Sequence, residues 1–300
     1  MTTDGNPGIP GFEWRELVWR ATPVRYAIGG EGEPIVLLHG LGGAASSWRL
    51  LGPPLAESRR VMVPELPGHG GSAPLPAVPH VDALADAVLA VVDAEGAAPA
   101  PWVGHSLGGL VALRAALRRP EVVSGVVLAA AAGNSSGSQE ARATLAVMAV
   151  VRPGRLIAPH RRAWSRSRLG RTLAFGWWGA ADPAALDPGI AEAFLSGPAE
   201  HTDTAAAGRA LLVSDTRVEL ERVGCPCLCL WGAEDNWVPL ADGMEYARRL
   251  RAPLRTIAGC GHLLVGERPE ACLAAIEEFV GSLDYPAAAA SNGITSAPRS

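Results

Sequence analysis

The chain has 300 residues, or two domains at about 150 residues each, with 48% apolar and 19% charged residues, a globular composition. Its net charge of −4 offers no electrostatic footprint for nucleic acid or an anionic membrane. All 26 basic residues are arginine, and the absence of lysine excludes Walker A phosphate binding, pyridoxal Schiff-base chemistry and Ser-x-x-Lys acylation.

The amino terminus lacks the charged start and apolar core of a signal peptide. No apolar run approaches the ~18 residues of a membrane span. The expected setting is cytoplasmic. Residues 12–20 and 24–28 are expected as strands joined near Thr22-Pro23, with Gly29-Gly30-Glu31-Gly32 as the next turn. Residues 35–38 form a continuous apolar run, as a buried strand does, ending at His39-Gly40. A helix is expected over 46–58, a strand over 61–63, and a helix over 81–92 with Leu84, Val88, Val91 and Val92 at helical spacing. A short strand at Trp102-Val103, a helix over 107–117 and a strand over 122–128 continue the alternation. This rhythm predicts an α/β fold with a parallel sheet covered on both faces.

Between Asn134 and Asp215 the alternation gives way to helical stretches broken by Pro and Gly. Strands over 228–231 and 254–257 and helices over 240–250 and 269–283 then resume it. The expected organisation is a core of residues 1–133 and 216–284, a helical cap inserted at 134–215, and a flexible tail at 285–300.

Of the five cysteines, Cys225, Cys227 and Cys229 alternate, which in a strand puts three thiols on one face. Their spacing is not the C-x₂₋₄-C of zinc sites. They are expected to be small apolar strand residues, with no metal.

Chemistry concentrates at four strand ends. Gly104-His105-Ser106-Leu107-Gly108 matches G-x-S-x-G between a strand and an apolar helix, the context this motif requires. Such a turn projects the serine hydroxyl above the sheet at the positive end of the following helix. A serine needs a base, and the base an orienting acid. Seven histidines compete for that role. His105 is expected to be structural, pointing away from Ser106, and His39 to brace its own loop. His69, His80, His160 and His201 fall in loops or the insertion. His262 follows the last strand in the flexible Gly259-Cys260-Gly261-His262 turn, where an imidazole reaches the sheet's carboxyl edge. Asp235 follows the preceding strand, ahead of its neighbour Glu234, giving the chain order Ser106, Asp235, His262. The glycine-rich His39-Gly40-Leu41-Gly42-Gly43 turn offers the Leu41 N–H as one oxyanion donor, with the Leu107 N–H as the other.

With these residues in place, the chain resembles the capped bacterial esterase-like members of the α/β-hydrolase superfamily, over about residues 12–283. The resemblance rests on His39-Gly40, the turn from Glu65 to Ser72, the Ser106 elbow, Asp235-Asn236-Trp237-Val238-Pro239 and Gly259 to His262. It implies an eight-stranded, mostly parallel sheet flanked by helices, an inserted helical cap and a Ser-His-Asp triad without cofactor. Two departures stand out: Glu65 where the family often has Asp, and Leu263 after the base where C–C hydrolases often carry Trp.

The expected activity is serine hydrolysis of a small, largely apolar carboxylic ester or related acyl substrate. The alternatives are C–C hydrolysis, acyl transfer or perhydrolysis on the same triad, and a non-catalytic binding protein. Residues 143–151 with Trp177 and Trp178 either line the acyl pocket or seal the cap against the core. The arginines from Arg142 to Arg171 form either a basic entrance or a solvated face. Trp48 and Trp102 are expected to be packing residues.

Overall fold

The computed structural model describes residues 8–76, 80–134, 158–176, 179–200, 204–213 and 219–283. The first strands, β1 (Glu13–Trp19) and β2 (Thr22–Gly29), form an antiparallel hairpin closed by Arg20 and Ala21 at φ 47° and 63°. Positive φ at both central residues matches the twist of the flanking strands. The expected turn at Thr22-Pro23 therefore lies inside β2. The next strand pairs with β2 only from Tyr26 onward, so the missing N–H of Pro23 interrupts no ladder on that side.

Six further strands follow: β3 (Glu33–Leu38), β4 (Arg59–Pro64), β5 (Ala100–His105), β6 (Val123–Ala129), β7 (Cys227–Gly232) and β8 (Leu254–Ile257). They join one eight-stranded sheet in the order β1-β2-β4-β3-β5-β6-β7-β8, in which β2 runs antiparallel to both neighbours and every pair from β4 to β8 is parallel. Every residue of β5 and β7 is buried, and β7 accordingly shows no apolar–polar alternation. β5 starts earlier than Trp102, because Pro101 is accommodated at a register shift after Ala100.

The expected helix over 46–58 is instead a 3₁₀ turn, Ala45–Trp48, and a short helix α1 (Gly52–Ala56). Pro53 and Pro54 lack the N–H a helix interior needs and are tolerated only in a first turn, so a continuous helix cannot pass through them. Helices α2 (Val81–Ala94) and α3 (Leu107–Arg118) follow and pack on one another. Arg114 ties them together: it binds Asp82 on α2 and also Glu219, ahead of β7.

Between β6 and β7 lie α4 (Arg161–Arg166), α5 (Arg168–Phe175), α6 (Pro188–Glu200) and α7 (Thr204–Val213). Phe175, Ala180, Leu186, Ile190, Ala191 and Leu195 form a small apolar cluster of their own, joined by Leu263 from beyond β8. In contrast, α7 contributes Ala207, Ala210 and Leu211 to the main core. Arg171 belongs neither to an entrance nor to a solvated face: it is buried, donating to the carbonyls of Ser165, at 2.6 Å, and Ala184. Residues 143–151, Trp177, Trp178 and the tail at 285–300 lie outside the described residues. The chain closes with α8 (Leu240–Leu250), α9 (Leu264–Glu267) and α10 (Pro269–Gly281). No helix among the described residues is long and apolar enough to cross a membrane.

The strand order sets where a ligand can sit. From β3 the chain goes first to β4 on one side and then to β5 on the other, so a crevice opens beyond the carboxyl ends of β3 and β5. The His39–Gly40 turn and Ser106 flank that crevice.

Candidate active site

Ser106 stands between the end of β5 and the start of α3 with φ 53° and ψ −117°, a conformation that costs a non-glycine residue of order 1–3 kcal/mol. Main-chain hydrogen bonds hold it there. Its N–H donates to Ala129 O at 3.0 Å, and its carbonyl accepts from Gly109 and Ala132 at 3.0 and 3.1 Å. The turn is tight enough that a Cβ on Gly104 would lie 2.3 Å from Gly108 O, and one on Gly108 2.4 Å from Leu38 O. The two flanking glycines are therefore sterically required.

The turn after β3 meets this elbow directly. A Cβ on Gly40 would lie 3.0 Å from Ser106 Cβ and 3.1 Å from His105 Nδ1, so a larger residue before Leu41 would have to push these side chains back by a few tenths of an ångström. His39 secures the turn: its Nδ1 donates to Gly40 O at 2.9 Å, and its Nε2 accepts the Leu66 N–H at 3.1 Å. The accepting Nε2 assigns the neutral tautomer. Leu107 is the first residue of α3, among the helix-starting N–H groups that have no carbonyl partner within their helix. From the inserted segment, α7 approaches the turn, since a Cβ on Gly208 would stand 3.7 Å from Leu41 Cδ2.

His262 and Asp235 meet at the ends of β8 and β7. His262 Nδ1 donates to Asp235 Oδ2 at 2.9 Å, and both residues are buried. The other carboxylate oxygen, Oδ1, accepts the main-chain N–H groups of Trp237 and Val238, both at 2.8 Å. Three donors converge on one carboxylate and fix its plane. Because the carboxylate only accepts, Nδ1 carries the proton of this contact, and in the neutral imidazole the lone pair is then on Nε2. Glu234, the competing acid, is exposed and takes no part in this contact; its N–H donates to Cys260 O at 2.9 Å.

His105 has the structural role expected of it: its Nε2 donates to the main-chain carbonyl of His262 at 2.9 Å, and burial, with the nearby His262, pushes its pKa down to about 3. Two residues depart from their sequence expectations. His69 is not a surface loop residue. It is fully buried, 5.1 Å from the His39 ring between centroids. Cys225 precedes β7, leaving Cys227 and Cys229 as the strand's alternating thiols. Burial pushes the Cys229 thiol up to about 12, so it packs as a small apolar side chain.

Glu65 is buried where the turn from Leu66 to Ser72 doubles back. Its carboxylate accepts from Gly71 N at 2.7 Å and Ala45 N at 3.4 Å, while burial raises its pKa. Its role is to brace the turn that also carries His69. Sequence reasoning passed over Glu267, whose carboxylate accepts from Gly261 N beside His262; the one available signal was an acid shortly after that histidine in a glycine-rich stretch.

Comparison with known proteins agrees with this architecture. The model of the alpha/beta hydrolase family matches residues 35–275. The chain is 30% identical over 283 residues to 2-hydroxymuconate semialdehyde hydrolase of Pseudomonas sp. (strain CF600), covering 91% of this chain and 95% of that one. It is 33% identical over 272 residues to the pimeloyl-[acyl-carrier protein] methyl ester esterase of Aromatoleum aromaticum, covering 82% and 97%. It is also 32% identical to the dihydrolipoyllysine-residue acetyltransferase component of the acetoin cleaving system of Pseudomonas putida, over 82% of this chain but only 63% of that protein's length. Among solved structures, a hydrolase from Pseudomonas aeruginosa PA01 superposes with a TM-score of 0.72 at 24% identity, covering 90% of this chain and 99% of that one.

Proposed function

For a chain that belongs to the alpha/beta-hydrolase superfamily, we propose serine hydrolysis of a small, largely apolar carboxylic ester or related acyl substrate. The observation that carries this reading is the buried Asp235–His262 pair, which leaves a basic Nε2 at the same sheet edge as the strained Ser106 turn. In the proposed reaction His262 Nε2 takes the Ser106 proton as Oγ bonds to the acyl carbon. The carbonyl oxygen becomes an oxyanion held by the Leu41 and Leu107 N–H groups. Collapse breaks the bond to the alcohol oxygen, which leaves with the proton from His262. Water then attacks the acyl-enzyme, giving one proton to His262 and its oxygen to the acyl carbon. Ser106 recovers its proton and the acid departs. Asp235 holds the imidazole in the tautomer that both proton transfers need.

Residues 134–215 are proposed to act as the cap that shapes the acyl pocket, with Trp177 and Trp178 among its walls. The loop length supports this, since connections of that size are usually functional lids or domains. A fluorophosphonate probe tests the chemistry. The wild-type chain should be labelled, its Ser106→Ala variant should not, and an unlabelled wild type ends the proposal. An ester panel varying acyl length and charge then defines the substrate. The relative that hydrolyses 2-hydroxymuconate semialdehyde, covered over nearly its whole length, supports C–C bond hydrolysis as the second reading. Product analysis on a ring-cleavage-type diketone against an aliphatic ester separates the two.

A further inference from the structure

The loop bearing His262 is pressed between two surfaces. On the core side, a Cβ on Gly232 would lie 2.3 Å from Gly261 O and 2.4 Å from Cys260 O, so the end of β7 sits directly against it. On the other side is the connection between α5 and α6: a Cβ on Gly261 would meet Ala181 N at 2.8 Å and the carbonyl carbon of Ala180 at 3.0 Å. One carboxylate closes this second junction. Glu267 accepts the Gly261 N–H on Oε1 at 3.0 Å and the Ala181 N–H on Oε2 at 2.7 Å. The residue following His262 completes the link, with Leu263 N donating to Gly179 O at 2.7 Å and its side chain buried among Phe175, Ala180 and Ile190. Both chain neighbours of His262 are thus tied to the inserted segment.

We infer that Glu267 is a positioning residue that couples the docking of the inserted segment to the placement of His262, an inference that rests on the proposed function above. A carboxylate is the group this junction needs. Both of its oxygens accept, so it serves two N–H groups at once, whereas a glutamine amide would turn N–H against N–H at one of them. Burial raises the pKa of Glu267 while the Ala181 and Gly261 N–H groups favour its charged form, and in that form each bond is stronger than a neutral one. Movement of the 179–181 connection is therefore transmitted through Oε2 and Oε1 to Gly261, and so to the imidazole next to it. Substrate binding under the inserted segment would then set the base by the same contacts.

The test compares wild type with Glu267→Gln, using Glu267→Asp, which keeps the charge and shortens the reach, as a second variant if the first fails to fold. On an ester that the wild type turns over, kcat should fall by about 10- to 100-fold, with KM changing far less. The split between kcat and KM is the readout that a merely structural role would not move, and hydrogen exchange locates its origin: the Ala181 and Gly261 amides should exchange at least about tenfold faster together, while Val103 in β5 keeps its protection. The inference is overturned if both amides keep wild-type protection, or if kcat falls only in step with a general loss of protection across the sheet. If the wild type fails to react with the fluorophosphonate probe, the serine-hydrolase reading fails. The paired exchange of the two amides still decides whether Glu267 couples the segments.

Discussion

His105 donates its Nε2–H to the main-chain carbonyl of His262 at 2.9 Å, across 157 positions of sequence, and the two rings stand 4.9 Å apart. The residue before Ser106 therefore holds the backbone of the residue proposed as its base. This bond needs His105 neutral or cationic, but burial admits only the neutral form, and its pKa is pushed down to about 3. In the unfolded chain the same imidazole titrates near 6.5. Between those values the unfolded state binds more protons, so acid favours unfolding. The contribution of His105 to stability is complete above pH about 6.5 and lost as pH falls to about 3, with a slope of at most about 1.4 kcal/mol per pH unit. Urea melts of wild type and His105→Gln at several pH values should show a steeper acid loss in the wild type. Parallel curves would reject the assignment.

Asp235→Asn should leave the fold in place and lower kcat by about 10⁴. Asparagine offers an N–H₂ where His262 Nδ1 now donates, or turns its carbonyl there and gives up acceptance from Trp237 and Val238. The first arrangement moves the ring proton to Nε2, and the second leaves the Trp237 and Val238 N–H groups facing an N–H₂. Steady-state rates, with circular dichroism to verify folding, check this. A loss below tenfold would mean that Asp235 does not orient the imidazole.

Ser106→Gly should abolish labelling yet stabilise the protein. Glycine adopts φ 53° without the Cβ clash, and the strain released is of order 1–3 kcal/mol. For a chain of this size that corresponds to a rise in Tm of roughly 2–4 °C per kcal/mol. Calorimetry decides the point, and an unchanged or lower Tm would show that the turn stores no strain.

Gly40→Ala should impair turnover more than folding. Its new Cβ would sit 3.0 Å from Ser106 Cβ, so the serine or the Leu41 turn must shift by a few tenths of an ångström. A displacement of that kind at the reacting centre should cost about tenfold or more in kcat/KM, read alongside Tm. Gly108→Ala is the contrasting case. Its Cβ would meet Leu38 O at 2.4 Å, a backbone atom that cannot step aside, and overpacking of about 1–3 kcal/mol should lower stability.

Much of this molecule was legible in the sequence because its determinants are local. Apolar runs mark the buried strands, and Gly104 and Gly108 announce a turn too tight for side chains. The succession of Ser106, Asp235 and His262 at strand ends needs only chain order. Pro53 and Pro54 also carried their warning locally, although a helix was expected through them. What the tertiary structure alone decided lies in contacts between distant segments. Asp235 is joined to His262 while adjacent Glu234 faces solvent, a choice made by strand pairing and the turn that aims one carboxylate inward. His69 is an ordinary loop histidine by sequence and is buried because the turn braced by Glu65 folds back under His39. His105 and Glu267 have no periodicity or motif that names their partners. Their bonds reach main-chain groups, and a main-chain N–H or carbonyl leaves no residue-specific signature, so only the folded chain can bring the two ends together.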